Sequence, residues 1–123
     1  METTQFEHYI SEALDMIPVQ IQKKIENVAF LVEPGQPTGR LLGLYHGIPV
    51  TRRVHQAYSG VLPDTITIFQ APIELQAGPD PEAVRHLVHK VVHHEVGHYF
   101  GFSEVEVRKW ERGRAERKAK RDP

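Results

Sequence analysis

The sequence predicts an α+β domain in which a small β-sheet packs on one long helix. Three observations lead to that class. Apolar residues recur at helical spacing near the start, short β-branched and aromatic runs fill the middle, and an unbroken helical stretch runs from Pro81 to about Phe100. With 123 residues there is room for one core of ordinary size. A hydrophobic fraction of 40% and a charged fraction of 25% suit a soluble globular protein and argue against disorder over most of its length.

Taken in order, Phe6, Tyr9, Ile10, Ala13, Leu14 and Ile17 give residues 3–16 an amphipathic helical stripe. Pro18 then opens a second short helix with Ile21 and Ile25 as its apolar side. VAFLVE (28–33) reads as a strand, PGQPTG (34–39) as a turn, and LLGLY (41–45) as a second strand. The stretch 46–63 is irregular. DTITIFQAP (64–72) has the strongest strand composition in the sequence, and its closing proline suggests an edge strand. Asp80 as cap and Pro81 at the first position start the long helix. Ser103 and Glu106 form a capping box for a last short helix, so the domain spans 1–107 and a basic end follows over 108–123.

Composition also excludes several classes. The sequence has no cysteine, which removes disulfides and thiolate metal sites. Its formal charge of −1 gives no global pull toward nucleic acid or membrane. The N-terminus lacks a signal-peptide layout, and no stretch approaches the ~20 apolar residues of a membrane span, so a cytoplasmic protein is expected. The tail carries eight Lys and Arg residues between Arg108 and Arg121. Without interleaved aromatics it reads as a solvated end, which leaves nucleic-acid contact open but unfavoured.

The long helix carries the chemistry. Within HHEVGHYFGFSE (93–104), His94-Glu95-Val96-Gly97-His98 sets two histidines four apart with a glutamate after the first. Chance placement in this composition yields about 0.05 such pentapeptides, so helical context must decide. Positions i and i+4 lie ~40° apart on a helix, so both imidazoles project from one face and can share one ion. Ala83, Leu87, Val91 and Gly101 fall near that face, which places both histidines on an apolar stripe. A metal ion, zinc or another divalent metal, satisfies them together, and Glu95 then serves as general base for a metal-activated water. His86, His89 and His93 project to the other side with Lys90 and are expected to be solvated.

Gly101 suits the left-handed turn that ends the helix, and a backbone reversing there returns Glu104 to the metal as third ligand. His46 and His55 are the alternatives. Two imidazoles and one carboxylate leave a fourth position for water, the arrangement of catalytic zinc sites.

HEVGHYFGFSE resembles the signature His-Glu-x-x-His-x-x-Gly-x-x-Asp of the minimal zincin-like metallopeptidases, small bacterial proteins. ALDMIP, NVAFLVE, LLGLYHGIPVTRR and LPDTITIFQAPI resemble the family's other blocks in the same order, so the likeness covers residues 5–107. Glu104 departs from the family's aspartate, though its longer arm can still reach a metal. The resemblance implies a minimal zincin-like fold with the active-site helix beside a small mixed sheet whose edge strand lines the cleft. DTITIFQAP is the expected counterpart, with Ile66, Thr67, Ile68 and Phe69 holding an extended peptide through main-chain atoms. Oxyanion stabilisation is expected from among Tyr45, His46, Arg52, His55 and Tyr58. The function expected is hydrolysis of a peptide or protein substrate by one zinc ion with Glu95 as base. Metal-dependent cleavage of another bond, such as an RNA phosphodiester, and a non-catalytic metal-stabilised binding module are the alternatives.

Overall fold

A computed structural model of the protein describes residues 1–36, 38–49 and 62–101. The described elements are α1 (Thr3–Asp15), α2 (Val19–Gln22), β1 (Val28–Glu33), β2 (Gly43–His46), β3 (Asp64–Phe69), α3 (Gln70–Ala77) and α4 (Pro81–Tyr99). The class is α+β, with a three-stranded mixed sheet and four helices among the described residues. None of the described helices is long and apolar enough to cross a membrane. The expected final helix, the basic tail and the boundary at 107 lie outside the described residues.

Within the described residues each expected element forms, with two corrections. β2 begins at Gly43 and runs to His46, two residues later than LLGLY suggests at its start. The larger correction concerns β3, which is the central strand rather than an edge. The sheet order is β1-β3-β2, with β1 parallel and β2 antiparallel to β3. The proline expected to close an edge strand is Pro72, the third residue of α3, a helix that the sequence does not announce. Proline is tolerated in a helical first turn because the amide it lacks has no partner there.

Side-chain alternation sends Ile66 and Ile68 of β3 to the helical side, where both are fully buried. Their cross-strand neighbours Phe30 and Val32 follow them onto the core. Phe6, Tyr9, Ile10, Ala13 and Ile17 arrive from the α1 side, and Val84, Val88, Val91, Val92 and Val96 from α4. α4 therefore packs beside α1 and against β2 and β3.

That position reverses the expectation for two histidines. His86 is exposed, but His89 is buried and His93 is fully buried, both against α1. The face of α4 that looks polar in sequence is polar because α1 supplies matching groups. His93 Nε2–H donates to the Ala13 carbonyl at 2.6 Å. Ile17, the residue that would cap that carbonyl in a continuing helix, donates instead to Leu14, so His93 closes an orphaned helix end. One turn and two turns earlier, His89 and Arg85 face Glu12, which accepts two hydrogen bonds from the Arg85 guanidinium at 3.1 and 2.9 Å. The hydrogen bonds and charge of Glu12 raise the Arg85 pKa above its ordinary value.

Candidate active site

α4 starts where the sequence places it. The Asp80 carboxylate accepts the Glu82 amide at 3.0 Å, and Pro81 occupies the first position. It ends where expected too: Phe100 caps the helix, and Gly101 takes a φ of 82° that a residue with a Cβ rarely adopts. Between these ends the helix is continuous, so His94 and His98 lie one turn apart on one face.

Their Nε2 atoms stand 3.1 Å apart, with ring centroids at 4.7 Å and planes inclined by 78°. The ligand atoms of His94, Glu95 and His98 all fall within 4.8 Å of one another. Both histidines are half-buried, whereas Glu95 is buried at 8% exposure, so the imidazoles reach outward and the carboxylate is held inside.

What holds it is β2. The Tyr45 amide donates to Glu95 Oε1 at 3.1 Å. The Phe69 amide donates to the Leu42 carbonyl, which fixes the alternation along β2: the backbone groups of Leu42 and Leu44 face β3, and those of Gly43 and Tyr45 face away from it. The outer edge of β2 is thus the edge turned toward Glu95. Tyr45 is anchored further by its hydroxyl, which donates to Asp64 Oδ2 at 2.6 Å, and by edge-on contact with Tyr99. Tyr99, next to His98, is itself fixed by accepting the Glu26 amide at 3.1 Å.

Residues 14–114 match the family model of the zincin-like metallopeptidases. The protein belongs to that family. No curated protein matches it. A zincin carries a metal, typically zinc, and the histidine pair fits one. Two nitrogens bound at ~2.05 Å in a tetrahedron stand ~3.3 Å apart, close to the separation found here. Glu95 is buried on a backbone donor beside that pair, which suits a base more than a third ligand on the imidazole side.

The other expected residues separate clearly. Glu104, Arg52, His55 and Tyr58 lie outside the described residues. Ile66, Thr67, Ile68 and Phe69 cannot offer a free edge, because β3 is paired on both sides and two of the four are fully buried. In this zincin the edge beside the helix belongs to β2. Tyr45 is in the site, but by its amide; its hydroxyl is directed to Asp64. His46 follows on the opposite face of the sheet and is exposed, away from α4.

Gly43 is the residue sequence reasoning passed over. A Cβ there would stand 2.6 Å from Val91 Cγ1 and 3.2 Å from Glu95 Cγ. Its absence lets β2 approach α4 closely enough for the Tyr45 amide to reach Glu95. A glycine inside a strand pattern is the available signal, since it commonly marks close backbone approach. Gly43→Ala is expected to lower stability by about 1–3 kcal/mol through overpacking in a denaturant titration. A midpoint equal to the parent's would show that the contact is slack.

Proposed function

We propose that this zincin is a zinc-dependent peptidase acting on extended peptide or protein segments in the cytoplasm. The observation that carries the reading is the convergence of the His94–His98 pair, a buried Glu95 and an outward-facing strand edge at one place. His94 and His98 hold the ion, with Glu104, three residues beyond the left-handed Gly101, as third ligand. Zinc bound there supplies Lewis-acid polarisation of the scissile carbonyl and lowers the pKa of a water to ~7.

The remaining work falls to the protein's own residues. Glu95 accepts the proton of the attacking water and returns it to the departing amine, which leaves neutral. The Tyr45 amide keeps the carboxylate aimed while it waits. The substrate strand lies along β2, where main-chain pairing orients any sequence and side pockets add selectivity.

The test is reversible metal dependence on unbiased substrate. Zinc-loaded protein should cleave members of a broad unstructured peptide library, lose that activity on chelation and regain it when zinc is restored. Protein that binds zinc stoichiometrically yet leaves the whole library intact would refute the peptidase reading in favour of a binding module.

A further inference from the structure

Immediately beside His94 and Glu95 an open groove of ≈ 330 Å³ runs along α4 toward α3. Leu41, Leu42, Leu87 and Val91 give it an aliphatic lining. Its polar lining is asymmetric: His94 and Glu95 stand at one end, and Lys90 and Gln76 are the other polar side chains. Lys90 is exposed and makes no ion pair among the described residues, so its ammonium is open to a ligand, whereas the Arg85 guanidinium is held by two carboxylates.

From this groove we infer a substrate class, resting on the peptidase reading above: the residue seated next to the scissile bond presents a carboxylate at the end of an apolar stem, and Lys90 receives it. The spacing suits that occupant. Lys90 precedes His94 by four residues, ~6 Å along the helix axis. Three carbon–carbon bonds of ~1.5 Å and the lysine arm together bridge that distance. The methylenes cover Val91 and Leu87 while the charge stays near water, and the Gln76 amide offers a second donor. Glu95 at the near end repels the same carboxylate, so the field along the groove fixes its direction. A glutamate side chain has this chemistry, whereas the free carboxy-terminus of a peptide offers the carboxylate without the stem.

Binding separates the inference from turnover. Zinc-loaded Glu95→Gln protein is titrated by calorimetry with two matched peptide pairs. One is acetyl-Ala-Ala-Ala-Glu-Ala-Ala-amide against its Gln counterpart; the other is acetyl-tetra-alanine as free acid against its amide. The glutamate peptide should bind about tenfold more tightly than its Gln counterpart, the size of one partly solvated charge-assisted hydrogen bond. Preference in the first pair identifies a glutamate side chain, whereas preference in the second pair alone would show a carboxylate bound without an apolar stem and overturn the inference. Lys90→Met should abolish the preference and Lys90→Glu reverse it. Equal binding of acid and neutral partners, no binding of any peptide, or a preference that survives Lys90→Met overturns the inference. If the Lys90-dependent preference holds but wild-type protein cleaves none of the four peptides or a wider library, the groove's selectivity stands and the peptidase reading alone fails.

Discussion

Glu95→Gln is expected to reduce kcat by about 10²–10⁴-fold, the range general acid–base groups supply, with zinc affinity and melting temperature close to the parent's. The choice of glutamine matters because Glu95 has two tasks. It accepts the Tyr45 amide at 3.1 Å inside the protein, and a carboxamide oxygen can do the same. What the amide cannot do is take a proton from water near neutral pH. Glu95→Ala removes the acceptor as well, and the loss of this part-buried hydrogen bond should cost about 1 kcal/mol. The two variants should therefore share a catalytic defect and differ in stability, read from denaturant titration beside single-turnover assays. A Gln variant that retains most of the parent's kcat would remove Glu95 from the chemistry.

His98→Ala should weaken zinc binding by more than ~100-fold, the upper end of what changes to a ligand's hydrogen-bond partners alone produce. The clean readout is linkage rather than activity. With free zinc at ~100 times the parent's Kd, binding to the folded state adds about 2.7 kcal/mol of stability. That increment should fall to about 0.4 kcal/mol or less in His98→Ala at the same zinc concentration. Without zinc the variant should unfold close to the parent, since His98 is half-buried and alanine favours a helix. Undiminished zinc-dependent stabilisation would place the ion elsewhere.

The parts of the molecule legible in the sequence are those governed by local rules. The caps of α4, the left-handed glycine after it and the shared face of His94 and His98 follow from helix geometry and one or two neighbouring residues. Strand identities are legible for the same reason. Strand order is not, because the difference between a central and an edge β3 depends on which neighbours the fold returns to it, and the closing proline points the wrong way. His89 and His93 illustrate the same limit. A polar stripe on a helix looks the same whether water or the far end of another helix satisfies it. Asp64 as the partner of the Tyr45 hydroxyl has no signal at all in the sequence.

The clamps on α4 also separate two events in the folding of this zincin. His94 and His98 are neighbours through helix geometry alone, so a nascent helical segment already offers a bidentate grip on an ion. The groups that fix Glu95 and its helix come from far along the sequence: Tyr45 reaches Glu95 across 50 residues, Glu12 reaches Arg85 across 73, and Ala13 reaches His93 across 80. Contacts of that separation close late, because the loop entropy must be overcome before they contribute. Metal capture can precede folding, whereas an aimed carboxylate cannot. On the peptidase reading proposed above, such a protein acquires its proton carrier only when its own backbone has stopped being an extended, cleavable strand.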